Sequence, residues 1–143
     1  MNKTIYLIGS LRNPLIPEIA DKIEDETGWE VFDDWFAAGP IADDSWQQYE
    51  TYRGTSYSDA LSGYAAQHVY NFDLHHLIRA DMGVLVLPAG KSSHLELGWI
   101  LGKGKPGYVL FDKEPERWDV MYNFCTNVFF SLDGLIWELK NVG

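Results

Sequence analysis

Cysteine is nearly missing from this chain: Cys125 is the only one in 143 residues. No disulfide can therefore close within it, which agrees with a reducing compartment. Long apolar runs are missing too, and the uninterrupted ones are far too short to cross a bilayer, so no membrane contact is expected. Cations are scarce, with 11 Lys and Arg against 21 Asp and Glu and a net charge of −10. Extended contact with a nucleic-acid backbone needs clustered Lys and Arg to displace counterions, so the charge argues against polymeric DNA or RNA as a partner. A small anion is still allowed, because helix-start N–H groups and one or two arginines hold a phosphate locally. There is no internal repeat, no low-complexity tract and no G-x-x-x-x-G-K-[ST] phosphate loop. No Cys/His spacing completes a zinc site, and the adjacent His75 and His76 point in different directions on a helix, so no metal is assigned. The opening MNKTIYLIGS runs straight into a strand-like segment without an apolar signal region or cleavage site, and a cytoplasmic location is expected.

What is present is apolar and aromatic content, 46% and 15%, enough for a continuous core in one domain spanning 1–143. TIYLIG (4–9) reads as a buried strand ending at glycine, and PEIADKIEDETG (17–28) as an amphipathic helix that Gly28 stops. A second strand at 29–35 runs into a loop rich in Gly, Pro and Asp. A short helix is expected at 46–53 and a longer one at 58–79, loosened near Gly63. MGVLVLP (82–88) is the third strand. A helix at 93–103, a strand at 107–111, a helix around 115–124, a strand at 127–130 and a helix at 132–140 follow. Strands with apolar interiors alternating with helices predict a five-stranded, doubly wound α/β domain: a parallel sheet, flavodoxin- or Rossmann-like, with helices on both faces. In such sheets ligands bind beyond the carboxyl ends of the strands, where strand order reverses.

Three segments at those ends carry candidate chemistry. In SSHLELGW, Ser93 and Glu96 have the S-x-x-E spacing of a capping box. The competing reading is a first-turn carboxylate that the helix dipole keeps ionised and that can serve as a nucleophile. In GSLRNP (9–14), Gly9 supplies unusual dihedrals, while Ser10 and Arg12 place a hydroxyl and a guanidinium beside a helix start. In DLHHLIRAD (73–81), Asp73 and His76 share a helical face, and Asp81 caps or turns. The aromatic, acidic stretch 32–54, with Asp34 and Trp35 at its start, is either packed under a long loop or a cover for a flat heterocycle.

Taken together, IYLIGSLRN, DLHHLIRADMGVLVL and SSHLELGWILGKGKP resemble the nucleoside 2-deoxyribosyltransferase family, nearest to its hydrolytic branch, the 2′-deoxynucleoside 5′-monophosphate N-glycosidases. The resemblance implies that Glu96 attacks the anomeric carbon, Tyr6 orients that carboxylate, and Asp73 protonates the departing base. It also implies that Ser10, Arg12 and one of Ser92 or Ser93 surround a 5′-phosphate or 5′-hydroxyl; Gly9, Asp34 and Trp35, at the ends of the first two strands, are further candidates for substrate binding. Asn123 would take part in a sugar contact as in the transferases. No cofactor is implied. The partner is a small-molecule nucleoside or nucleotide, and a homodimer or larger homo-oligomer is expected because family members complete their sites across subunit contacts.

The sequence departs from the family pattern in three places. The turn AGKSSHL is one residue shorter than in the hydrolases, the segment 34–57 is longer and more acidic, and RWDVMYNF lacks the serine that the hydrolases bring from a neighbouring subunit. Two other functions compete: N-glycohydrolysis of NAD or another ribonucleotide, and a nucleotide-sensing module without turnover.

Overall fold

The computed structural model describes residues 3–142. Its centre is a five-stranded sheet, β1 (Thr4–Ile8), β2 (Glu30–Phe32), β3 (Met82–Val86), β4 (Gly107–Leu110) and β5 (Asn127–Phe129), in the order β2-β1-β3-β4-β5. All four pairings are parallel. Six helices accompany it: α1 (Ile16–Thr27), α2 (Ala42–Tyr52), α3 (Tyr57–Leu61), α4 (Tyr64–Arg79), α5 (Lys91–Gly102) and α6 (Leu132–Val142). The doubly wound α/β expectation holds, and strand order reverses between β1 and β3.

Period-two alternation along a buried strand sends neighbouring residues into different layers. Ile5 and Leu7 of β1 enter a core with Ile16, Ala20 and Ile23 of α1 and Leu135, Ile136 and Leu139 of α6. Tyr6 and Ile8 enter the opposite core with Leu77 of α4 and Leu97 and Ile100 of α5. A polar-tipped residue, Tyr6, thus lies wholly inside the second layer, 0% exposed. Asp81 fixes the entry to the sheet, its Oδ2 accepting the Thr4 N–H at 2.8 Å.

Gly28 ends α1 in the left-handed region, φ 75°, its N–H donating to the Glu24 carbonyl at 2.9 Å. The expected break near Gly63 separates α3 from α4. Several boundaries differ from expectation, among them the start of α5 at Lys91 instead of 93 and the end of β3 at Val86 instead of 88. The second strand stops at Phe32 because Asp33 opens a 3-10 turn, Asp34–Ala38. The first helix of the following excursion begins earlier, at Ala42. The helix expected around 115–124 shrinks to a 3-10 turn, Val120–Phe124, since the charged stretch before it has no apolar stripe to bury.

Packing is tight where α5 crosses the sheet. A Cβ at Gly107 would lie 2.8 Å from Leu101 Cδ2 and 2.9 Å from Leu97 Cδ1. Gly107→Ala should therefore lower stability by about 1–3 kcal/mol through overpacking, read as a shift in the urea midpoint at unchanged slope; an unchanged midpoint would mean that the two leucines yield freely.

Candidate active site

The reversal between β1 and β3 brings the loops after both strands together, and α5 rises from the second of them. Its first helical residue is Lys91, its N-cap is Gly90, and no side chain caps it. Glu96 is consequently the sixth residue of the helix, in its second turn. This overturns the capping box and the first-turn position, but not a nucleophilic Glu96. Ser93 is already inside the helix and does not cap it, and Glu96 is beyond the first turn, where the helix dipole has its main effect.

What holds Glu96 is the sheet. The Tyr6 hydroxyl, buried in β1, donates to Glu96 Oε2 at 2.8 Å across 90 positions of sequence. Asp73, on α4, lies in the same electrostatic neighbourhood: its charge raises the pKa of both Tyr6 and Glu96. One of its oxygens, Oδ1, is buried without a hydrogen-bond partner among the described residues. An orphan buried carboxyl oxygen costs free energy unless a proton or ligand satisfies it.

Burial dominates the titration of the pair. Loss of water pushes Glu96 up to about 7; the Tyr6 hydrogen bond opposes this, and the charge of Asp73 adds to it. The same desolvation pushes Asp73 up to about 6. Tyr6 is driven far above its ordinary value by burial, then by the two acids, so it stays a neutral donor. Two acids this close do not ionise independently. Deeper burial makes Glu96 the higher of the two in the empty site, whereas the Tyr6 donor favours a negative charge on Glu96. Positive charge developing on a substrate beside Glu96 would act in the same direction as Tyr6 and leave the proton with Asp73.

Aromatic side chains wall this pair on the β2 side. Phe32 lies 5.1 Å from the Tyr6 ring and stacks on His76 at 3.9 Å between centroids, with Phe72 at 5.9 Å. His76 therefore packs one turn from Asp73, and desolvation, then the charges of Arg79 and His75, lower its pKa. Trp35 is tied down, its indole N–H donating to the Leu7 carbonyl at 2.7 Å. Asp34 beside it is exposed.

On the other side of the α5 start, the first loop and residues 88–90 enclose a cleft of about 390 Å³ to which Ser10 and Arg12 contribute. The Arg12 N–H donates to Ser10 Oγ at 3.1 Å, and the Arg12 guanidinium meets Asp44 of α2 at 3.3 Å in an exposed ion pair. Gly9 does not have the unusual dihedrals expected of it, since its φ is not positive; it permits close approach instead, as a Cβ on it would sit 2.6 Å from Ile16 Cδ1. The choice between the serines divides sharply. Ser93 is 1% exposed and its hydroxyl donates to the Gly9 carbonyl at 3.0 Å, which joins the two loops, while Ser92 faces solvent.

Asn123 lies on the Val120–Phe124 turn, exposed, its side-chain N–H donating to the Val120 carbonyl at 2.8 Å. A contact not foreseen from sequence anchors that turn. His94 Nδ1 faces the Gly90 carbonyl at 2.7 Å and Nε2 faces the Tyr122 hydroxyl at 2.9 Å. A carbonyl only accepts, so Nδ1 carries the hydrogen and Nε2 accepts from Tyr122. Nothing in the sequence pairs His94 with Tyr122. Among the described residues, no group of three His, Cys, Asp or Glu is placed to hold a metal ion, and no helix is long and apolar enough to cross a membrane.

No protein-family model matches the sequence, and no curated protein matches it in sequence. Solved structures do match. A conserved protein from Enterococcus faecalis V583 covers 100% of both chains at 15% identity, with a TM-score of 0.65. A 2-deoxyribosyltransferase from the psychrotolerant bacterium Bacillus psychrosaccharolyticus covers 93% of this chain and 90% of its own at 16% identity, TM-score 0.61. The CMP N-glycosidase BcmB of Clostridium botulinum covers 96% and 99% at 13% identity, TM-score 0.54. At these identities the likeness is one of fold, and the fold is the flavodoxin-like α/β architecture that these proteins share with this chain.

The raised acids make stability fall with pH. Between the ordinary carboxylate range and about 7, the folded protein keeps a proton on Glu96 that the unfolded chain has lost, so the contribution of Glu96 to stability is full below the ordinary carboxylate range and is lost as pH rises through about 7. Glu96→Gln should flatten this decline and leave the variant more stable than the parent at pH 8, by about 2–3 kcal/mol. Urea unfolding at pH 4.5 and 8 measures it; equal slopes for the two proteins would show that Glu96 titrates normally.

Proposed function

We propose that this protein is a member of the nucleoside 2-deoxyribosyltransferase family and cleaves the N-glycosidic bond of a 2′-deoxynucleoside or its 5′-monophosphate. The observation that carries the reading is the buried Tyr6–Glu96 hydrogen bond beside the unpartnered Asp73 oxygen at the switch point of the sheet. The shared fold with a 2-deoxyribosyltransferase and a CMP N-glycosidase supports it.

Glycosidic cleavage passes through an oxocarbenium-like state, and a carboxylate below the sugar stabilises or traps that cation. Glu96 Oε1 is the oxygen left for this, because Oε2 is occupied by Tyr6. Attack on the anomeric carbon forms a glutamyl–sugar ester as the bond to the base breaks. Asp73, holding its proton in the desolvated site, gives it to the departing base. Water then completes hydrolysis with Asp73 accepting a proton, or a second base attacks the ester and completes transfer. A 2-deoxyribose lacks the electron-withdrawing 2-hydroxyl, so its glycosidic bond needs less assistance than that of a ribose.

Self-association belongs to the same proposal. Leu77 is the only buried residue of the sixteen in α4, and Tyr64, Val69, Tyr70 and Phe72 stand exposed on the helix that carries Asp73. An apolar face of this kind fits a subunit contact that would cover the site. Val69→Glu should shift sedimentation toward a slower species if α4 forms that contact, and an unaltered profile would place the contact elsewhere or remove it.

The catalytic reading is tested on a panel of deoxynucleosides, ribonucleosides, their 5′-monophosphates and NAD, with and without added free base. Base release or exchange is expected from a deoxyribose substrate. Glu96→Gln should abolish it while the fold survives, and Asp73→Asn should lower kcat by about 10²–10⁴-fold. Release from NAD or ribonucleosides alone would favour ribonucleotide hydrolysis, and no product from any substrate would favour a sensing module.

A further inference from the structure

The aromatic wall beside Asp73 holds one hydrogen-bond donor to which no role has been assigned. His76 lies one turn after Asp73 on α4 and stacks on Phe32, whose ring in turn meets Tyr6. The Arg79 Nε–H donates to His76 Nδ1 at 3.0 Å. Nδ1 is therefore an acceptor, and the hydrogen of the neutral ring belongs to Nε2. Arg79 is itself held, because its two terminal nitrogens meet the carboxylate of Glu30 on β2 at 2.6 and 3.5 Å. A chain from Glu30 through Arg79 thus fixes the tautomer of His76.

The nitrogens of an imidazole face away from each other, and Nδ1 faces Arg79, toward the end of α4. Nε2 is thereby turned to the preceding turn, which carries Phe72 and Asp73. Helical side chains lean that way, and the Phe72 ring lies 4.8 Å from that of His76. Nε2 makes no hydrogen bond among the described residues and is not sealed from solvent like Asp73 Oδ1. Asp34, just past the carboxyl end of β2, is near enough for its charge to act on the imidazole. The donor therefore belongs to the space beyond β2, beside the acid that protonates the departing base. Residues three apart on a helix have Cβ atoms about 5–6 Å apart, so a planar base that takes the Asp73 proton lies within reach of His76.

Two donors side by side read two acceptors side by side. Guanine has them at N7 and O6, whereas adenine places an amino group next to N7. Among pyrimidines, cytosine has them at O2 and N3, whereas thymine places an N3–H next to O2. We propose that His76 is a specificity-determining residue whose Nε2–H donates to the substrate base, that Arg79 is the positioning residue that fixes its tautomer, and that the site takes bases with two adjacent acceptors, guanine or cytosine, over adenine and thymine. This rests on the glycosidase reading for the role of Asp73.

His76→Phe and His76→Gln separate this role from packing. Phenylalanine keeps the stack on Phe32 and loses the donor, while glutamine loses the ring and keeps an amide N–H in place of Nε2–H. Calorimetric titration with the 2′-deoxynucleosides of guanine, cytosine, adenine and thymine and with their 5′-monophosphates is the measurement, in a Glu96→Gln background that prevents turnover. Guanine or cytosine should bind about tenfold to a hundredfold more tightly than adenine and thymine, and which of the two binds identifies the base. His76→Phe should abolish this preference, His76→Gln should restore it, and Arg79→Met should shrink it by releasing the other tautomer. Equal binding of all four bases, binding of none, or a preference that survives in His76→Phe overturns the proposal. If His76→Phe fails to fold, the imidazole ¹⁵N resonances of the labelled parent at alkaline pH decide. Nε2 should show the protonated shift and should move on adding 2′-deoxyguanosine or 2′-deoxycytidine; the opposite tautomer or an unmoved signal overturns it. Selective binding by a protein that releases base from no substrate would remove the glycosidase reading and leave the base contact standing. Base release equally efficient from all four deoxynucleosides would do the reverse.

Discussion

One hydrogen bond, from the Tyr6 hydroxyl to Glu96, ties the middle of the sheet to the helix that crosses it. Tyr6 contributes in two ways, since its ring fills the layer between β1, Phe32 and α4 while its hydroxyl is the only polar group it brings to that layer. A phenol buried in this manner requires an acceptor, and a carboxyl buried in this manner requires a donor. Each resolves the other's desolvation, and the geometry of α5 on the sheet follows from both. Asp73 receives no such partner. The contrast between a satisfied acid and an unsatisfied one, in the same neighbourhood, gives the site its chemical asymmetry.

A second constraint is the close approach of two loops. Gly9 leaves room for the Ile16 side chain, and Ser93 from the first turn of α5 returns a hydroxyl to the Gly9 carbonyl. The helix starts of α1 and α5 are thereby held side by side at the point where strand order reverses. An acidic protein with few cations can in this way offer a donor-rich surface without assembling a basic patch, because backbone amides and neutral side chains supply the positive ends of dipoles.

Much of the fold is legible in the sequence because its signals are local. TIYLIG and MGVLVL are apolar runs bounded by turn residues, Gly28 stops a helix through its own backbone freedom, and Gly63 marks a real division between α3 and α4. The failures are equally instructive. Ser93 and Glu96 have the spacing of a capping box, but α5 begins two residues before Ser93, so the same letters occupy interior positions and serve contacts with β1. The 115–124 segment contains helix-forming residues without a face to bury them. His94 and Tyr122, or Trp35 and Leu7, meet only because the sheet brings distant segments together, and no periodicity encodes such pairs. The grouping of Tyr6, Asp73 and Glu96 came from resemblance in ordered motifs; composition and spacing alone left Glu96 between a cap and a nucleophile.

Trp35 bears on how a protein of this shape can change over generations. Its indole is fastened to the Leu7 carbonyl within three residues of the end of β2. The excursion that follows, through α2 and α3 to the start of α4, is thus moored at its root, and none of its residues pairs with a strand. Insertions, deletions and exchanges beyond that mooring leave the sheet register and the Tyr6–Glu96 contact in place. The excursion is thus an exchangeable module set on an unaltered sheet.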